Sequence, residues 1–312
     1  MSYVTVKNIN KQFQQKSVLK NVSFTIEKGE RFGLIGPNGA GKSTLIDIMT
    51  GLTAAESGEV MVDGVDIKKD ILAIRKKLGV VPQDIALMEE LTGYDNLIYF
   101  GGMYGLSGAI LKTRVNELLT TIGLTAHAKK KVKTYSGGMK RRLNIAAALL
   151  HHPEFLILDE PTVGVDPQSR QYIFDFLKQL NEAGTTILYI SHYMEEIEAL
   201  CERLLILDLG SEVAYGTKAE VKSLVRQSSK VTITLDYVSD EVLTAIEALD
   251  NGISEVTRDF NNITLLVDSS VFSMMRLIQA LEATDSVIKS LSLEDISLEE
   301  TFLQLTGKSL RE

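Results

Sequence analysis

The chain has 312 residues, 45% apolar and 24% charged, with 33 basic against 41 acidic side chains and a formal charge of −8. That composition is ordinary for a globular chain and excludes a disordered or collagen-like one. A net-acidic chain also argues against nucleic-acid binding driven by bulk positive charge, so no nucleic-acid partner is expected.

Along the chain, Tyr3 to Ile9 and Ser23 to Ile26 alternate like strands. Arg31-Phe32-Gly33-Leu34-Ile35 is a short apolar run ending at glycine, and a helix is predicted from Lys42 to about Thr50. Glu59 to Gly64 reads as a strand and turn, and Leu78-Gly79-Val80-Val81 as a buried strand. The pattern turns helical from about Thr92 to Gly123 and again from Gly138 to Leu150. Phe155 to Leu158 and Thr186 to Ile190 are continuous apolar runs of the kind a parallel sheet buries on both faces. Strands alternating with helices predict an α/β domain, and at roughly 100–200 residues per domain the length predicts a second one.

The texture changes near Gly216. Residues 217–230 read as a helix plus linker, dividing a domain 1–216 from a domain 217–312. Beyond it come a strand (231–237), a helix (241–249), a hairpin around Asn261-Asn262, a helix (271–283) and a strand (287–293). That βαββαβ order predicts a small α+β ferredoxin-like sandwich. Residues 297–305 form an amphipathic helix with Leu298, Phe302 and Leu305 on one face. Nine basic and sixteen acidic residues lie from Thr217 onward, so the second domain carries −7 and the first only −1. The first domain concentrates positive charge at Arg75-Lys76-Lys77, at Lys129-Lys130-Lys131-Lys133 and at Lys140-Arg141-Arg142, which fits nucleotide chemistry, a membrane face or a solvated surface.

The single cysteine, Cys201, excludes an intramolecular disulfide, fits a reducing compartment and reads as a buried helix residue. The first residues lack the charged-then-apolar pattern of a signal peptide. No apolar run approaches the roughly 18 residues a membrane span needs.

The chemistry concentrates in a few segments. Gly36-Pro37-Asn38-Gly39-Ala40-Gly41-Lys42-Ser43, followed by Thr44, matches G-x-x-x-x-G-K-[ST] between a strand and a helix. The glycines let backbone N–H groups point at phosphates, the helix adds its positive end, Lys42 supplies charge to the outer phosphates and Ser43 a hydroxyl for Mg²⁺. The strand Phe155 to Leu158 runs into Asp159-Glu160, which places a carboxylate for Mg²⁺ and one to orient or deprotonate an attacking water.

Tyr135-Ser136-Gly137-Gly138-Met139 resembles the signature of ABC-type ATPases, with Tyr and Met where the common form has Leu and Gln. The variant followed by Lys140-Arg141-Arg142 is similar to the daunorubicin- and sodium-efflux branch, the ABC-2-type drug exporters. The resemblance implies a P-loop NTPase of ABC type, with a RecA-like core and a helical subdomain. It implies ATP and Mg²⁺ as cofactors, a head-to-tail homodimer in which Ser136, Gly137 and Gly138 of one chain cover ATP on the Lys42 loop of the other, and an ABC-2-type membrane permease as partner. Carried over residue by residue, Phe13 stacks on adenine and Gln83 touches Mg²⁺ and relays the nucleotide state. Asp166, in the loop after Pro161-Thr162, meets the opposite subunit, and His192 contacts the γ-phosphate.

The implied catalytic set is Glu160, His192 and Lys42; the implied metal set is Ser43, Gln83 and Asp159. His127, His151 and His152 match nothing and read as structural. Leu87, Met88, Leu91, Tyr94 and Leu97 read either as core or as a groove for a permease helix. The segment 297–307 resembles the closing helix of exporter ATPases with an extra C-terminal domain; the role of that domain stays open between dimer reinforcement and regulation. The function implied is export of a drug, peptide or toxin-like amphiphile from the cytoplasmic face of the membrane. An importer ATPase and a soluble translation ATPase are the alternatives.

Overall fold

The computed structural model describes residues 2–225, 228–249, 252–295 and 297–307. The chain divides into two compact units, the division falling between Thr217 and Lys218.

The first unit opens with β1 (Ser2–Phe13) and β2 (Lys16–Glu27), an antiparallel hairpin. The strand β3 (Arg31–Ile35) feeds the glycine loop and α1 (Lys42–Met49). β4 (Ser57–Val62), β5 (Val65–Asp66), α2 (Ile71–Lys77) and β6 (Leu78–Val81) follow. Helices α3 (Gly93–Met103), α4 (Gly108–Thr121) and α5 (Gly137–Ala148) come next. β7 (Phe155–Asp159), α6 (Pro167–Glu182), β8 (Thr186–Ser191) and α7 (Met194–Leu200) lead to the hairpin β9 (Arg203–Asp208) and β10 (Ser211–Thr217).

The strands make a four-stranded antiparallel sheet in the order β2-β1-β4-β5 and a six-stranded sheet in the order β10-β9-β3-β8-β7-β6. In the second sheet all pairs but β10·β9 are parallel. Every residue of β8 and the first four of β7 are buried, which is why those segments read as unbroken apolar runs. One core of buried side chains joins both sheets through Phe24, Phe32, Leu34 and Leu188, each such side chain contributing about 1.5–3 kcal/mol of burial. The long helical stretch expected from 92 to 123 is two helices, separated where Gly105 takes a left-handed φ of 82°. Cys201 is buried at the end of α7, as its neighbours predict.

The second unit begins with α8 (Lys218–Ser223), so the first part of the expected linker is helix; residues 226 and 227 of it lie outside the described residues. Then come β11 (Ser228–Leu235), α9 (Asp240–Glu247), β12 (Ile253–Asp259), β13 (Asn262–Asp268), α10 (Met274–Glu282), β14 (Ile288–Asp295) and α11 (Leu298–Thr306). The sheet order is β12-β13-β11-β14 with antiparallel pairs throughout. Alternate residues Val231, Ile233 and Leu235 of β11 and Ile263, Leu265 and Val267 of β13 face Val242 and Ile246 of α9 and Leu277 and Leu281 of α10. Both helices therefore cover one face, the βαββαβ arrangement. In α11, Ser297 and Glu300 form a capping box, and Leu298 and Phe302 are buried while Leu305 is half-buried. Among the described residues no helix is long and apolar enough to cross a membrane.

Candidate nucleotide site

Four loops leave the carboxyl edge of the parallel sheet side by side. Ile35 lies opposite Ser191, Asp159 opposite Ile190 and Val81 opposite Leu158, so β3, β8, β7 and β6 end nearly level. This register is what gathers Lys42, His192, Glu160 and Gln83 from distant parts of the chain. The loops open onto a cavity of about 490 Å³ walled by Lys42, Ser43, Thr44, Gln83, Asp159 and Glu160, with Asn38, Gly39 and Gly41 at the glycine loop.

The loop from Gly36 to Gly41 curls with Gly39 and Gly41 at φ of 80° and 106°. Ala40 N–H closes it by donating to the Pro37 carbonyl at 3.1 Å. Gly41 caps α1 without a side chain, so no cap oxygen competes with an anion for the first-turn N–H groups. Lys42 is buried and its Nζ donates to the carbonyls of Gly36 at 2.7 Å and Pro37 at 3.2 Å. Burial pulls its ammonium below the ordinary lysine range, opposed by Glu160 and Asp159.

Glu160 stands at the centre. It is 5% exposed. Its Oε2 accepts from Gln83 Nε2 at 3.0 Å, while Oε1 lies 3.0 Å from His192 Nδ1 and 3.9 Å from Lys42 Nζ. The His192 approach is close without being an aligned hydrogen bond. Asp159 beside it is pushed up to about 6, first by burial and then by the Glu160 charge, with Lys42 working against both. A carboxylate whose folded pKa exceeds its unfolded value, near 4, is destabilising once ionised. In the nucleotide-free chain this one group therefore contributes a destabilisation that grows as pH rises from about 4 to 6 and is essentially complete at pH 7. Asp159→Asn is expected to stabilise that form by about 2 kcal/mol at pH 7. The gain fades toward pH 4, as thermal unfolding at both pH values would register.

Other expected site residues lie elsewhere. Ser136 caps α5, its Oγ accepting from Met139 N–H at 3.3 Å, and Asp166 caps α6, accepting from Ser169 N–H at 2.9 Å. The two helix starts pack closely because Gly138 has no side chain: a Cβ there would lie 2.6 Å from Ser169 Oγ. Ser136, Gly137, Gly138 and Asp166 thus form one locus and add nothing to the cavity wall. Phe13 is also off that wall, at the end of β1, 49% exposed, with Lys11 Nζ 4.9 Å above its ring.

Sequence reasoning missed part of the site. Lys16, Lys20 and Leu209 line the cavity. They are brought there by Gly210, whose N–H donates to the Ala40 carbonyl at 3.0 Å and whose carbonyl accepts from Lys20 N–H at 2.7 Å. Neither a motif nor a periodicity marks these residues; only the β9–β10 turn places them. The basic run 140–142 is only partly exposed. Arg141 is buried and donates to the carbonyls of Gln83 and of Val163, tying α5 to the loop after β6 and to the loop that carries Glu160. Lys140 pairs with Glu89, and Arg142 donates to the Ile122 carbonyl and lies over Tyr172. Of the five apolar residues read as core or groove, Leu87 and Leu97 are core, Leu91 and Tyr94 are half-buried and Met88 is exposed. Exposed apolar surface on α3 lies instead at Tyr99 and Met103. His151 stacks on Tyr104 at 3.8 Å and its Nε2 meets the Leu78 carbonyl at 3.0 Å, a structural placement.

The family model described as ABC transporter matches residues 19–163, and one described as AAA domain, putative AbiEii toxin, Type IV TA system, matches 130–198. The linearmycin resistance ATP-binding protein LnrL of Bacillus subtilis is 46% identical over 310 residues, covering 98% of this chain and 99% of that protein. The doxorubicin resistance ATP-binding protein DrrA of Mycobacterium tuberculosis is 32% identical, covering 97% and 93%. Among solved structures, a dimeric ATP-binding cassette in a post-hydrolysis state with ADP and Pi is 30% identical at a TM-score of 0.63. That match covers 69% of this chain and 98% of the cassette. With two relatives matched over nearly their whole length and a fold that closes a glycine loop, a buried Glu160 and a capped Ser136 helix into one unit, the chain belongs to the ABC transporter family as an ATP-binding, ATP-hydrolysing member.

Proposed function

We propose that this chain powers an exporter: two copies pair head to tail around ATP and drive a separate ABC-2-type permease from the cytoplasmic face of the membrane. The observation that carries the hydrolytic reading is the Glu160 carboxylate, buried at the cavity between Gln83, His192 and Lys42. In this reading Phe13 stacks on adenine and the loop Gly36 to Gly41, with Thr44, wraps the phosphates. Lys42 leaves the Gly36 and Pro37 carbonyls for the outer phosphates. Glu160 takes the proton of the attacking water, and His192 steadies the γ-phosphate.

Ser43, Asp159 and Gln83 offer hydroxyl, carboxylate and amide oxygens on one wall, a hard-donor set suited to Mg²⁺; Gln83 directs its amide nitrogen at Glu160 and so keeps its oxygen for a cation. Ser43, Asp159 and Gln83 would hold Mg²⁺, which would supply positive charge to offset that of the outer phosphates. Ser136, Gly137, Gly138 and Asp166 act on ATP held by the other chain, which fits their separation from the cavity wall. The resistance relatives support an amphiphilic drug or antibiotic-like cargo. Met88, Tyr99 and Met103, with the apolar cleft of about 340 Å³ beside Leu52, Pro82 and Tyr104, make the surface proposed for the permease.

Mixing two inactive chains tests the pairing. Lys42→Ala and Ser136→Glu should each be inactive alone. Combined one to one, half of the dimers are mixed and each of those has one intact site, so about a quarter of the wild-type hydrolysis should return. No recovery on mixing would mean that Lys42 and Ser136 serve the same chain's nucleotide.

A further inference from the structure

Glu196 is a buried carboxylate that none of the roles above uses. It lies in the first turn of α7, 2% exposed. Its Oε1 accepts from Thr162 Oγ1 at 2.7 Å. Its Oε2 accepts from Tyr189 OH and from Ser191 Oγ, both at 2.9 Å. Ser191 Oγ in turn accepts from Tyr193 N–H at 2.9 Å. Arg170 Nε of α6 stands 3.7 Å from Oε1. Three hydroxyl donors converge on one group, an arrangement that only an acceptor-only carboxylate satisfies in full. Burial and the Glu196 charge hold the Tyr189 phenol well above its ordinary value, so Tyr189 stays a donor.

The positions of the donors give the cluster its meaning. Thr162 follows Glu160 by two residues, in the loop that runs on to Asp166. Ser191 ends β8 and is followed directly by His192. Glu160 is itself in a left-handed conformation, φ 46°, which a non-glycine residue keeps only where its surroundings fix the backbone on both sides. One side is its own N–H, donating to the Ile190 carbonyl at 2.9 Å. The other side is the loop that Glu196 holds through Thr162.

We propose that Glu196 is a positioning residue for hydrolysis: its carboxylate joins the loop behind Glu160 to the strand end carrying His192, and so sets the 3.0 Å approach of His192 to Glu160. The proposal rests on the assignment of Glu160 and His192 given above. Glutamine keeps the shape but turns one acceptor into a donor facing a hydroxyl; aspartate is one methylene short of reaching both Thr162 and Ser191.

The test compares the purified full chain with its Glu196→Gln, Glu196→Asp and Thr162→Val variants in steady-state ATP hydrolysis, with fluorescent-nucleotide titration and thermal unfolding alongside. In Glu196→Gln, kcat should fall about 10- to 100-fold with KM and nucleotide affinity within about twofold, an alignment loss of the kind expected for a displaced catalytic group. Aspartate should not rescue it. Thr162→Val should lose less, and adding it to Glu196→Gln should cost little more, because both break the same link. Should Glu196→Gln not fold, Thr162→Val alone carries the test through the same split between kcat and KM. A lowered unfolding temperature with unchanged kcat in the folded variants overturns the proposal, and so do fully additive losses. Glu160→Gln run in parallel separates the two assignments. If it hydrolyses ATP normally, the reading of Glu160 has failed; if it is inactive while Glu196→Gln is not, only the positioning role has.

Discussion

Glu160→Gln is expected to bind ATP as the parent chain does, to lose hydrolysis by about 10²- to 10⁴-fold, and to remain paired in the presence of ATP. The reasoning starts from the backbone. Glu160 sits just past the last residue of a strand buried on both faces, in a left-handed conformation that no property of glutamate favours. Its side chain thereby points into the cavity, against Gln83, His192 and Lys42. Glutamine has the same volume and retains an oxygen for Gln83 Nε2, so the cavity keeps its form and the nucleotide its contacts. What disappears is a basic oxygen for the proton of water. Without that step the phosphates stay intact, and in the head-to-tail pairing proposed above ATP would go on joining the two chains, so gel filtration with ATP should show a persistent dimer where the parent returns to monomer. Near-normal turnover would remove Glu160 from the role.

How much of this the sequence reveals depends on how local each feature is. The runs in β3, β7 and β8 are legible because strands covered on both faces carry apolar residues in succession, with polar ones only near their ends. The second unit is legible because its strands alternate cleanly over a one-sided core. The hairpin β1–β2 is twelve residues on each side, yet only fragments of it read as strand. Asn8 and Asn21 take left-handed φ values of 49° and 54° and the pairing slips its register at several points, so the alternation is broken from within. The cavity's glycine loop, Asp159 and Glu160 announce themselves because each motif is contiguous. Lys16, Lys20 and Leu209 do not, because they are set against the loop by contacts across some 170 to 190 residues of chain. Arg141 is the instructive miss: within a basic run it reads as surface charge, whereas the structure spends it inside, on two backbone carbonyls.

Gly36→Ala is expected to remove nucleotide binding altogether and to lower stability by about 1–3 kcal/mol, whereas Gly39→Ala, three residues on, should keep a working loop. The two glycines differ in what a methyl group would meet. At Gly36 an added Cβ lies 2.2 Å from the Leu207 carbonyl oxygen and 3.1 Å from Ala40 Cβ. Leu207 belongs to β9, a buried strand paired with β3 and β10, so its carbonyl cannot withdraw without disturbing the sheet. The loop must move instead. Moving it pulls the Gly36 carbonyl from Lys42 Nζ and strains the Ala40 carbonyl against Gly210 N–H, which together hold the curl in place. At Gly39 nothing lies within 4 Å, and the only cost is the left-handed φ of 80°, roughly 1 kcal/mol for alanine. Thermal unfolding without ligand and titration with a fluorescent nucleotide would separate the two. Tight binding by Gly36→Ala would mean that the loop is not fixed against β9, and that the close approach at Leu207 has no part in shaping the phosphate cradle.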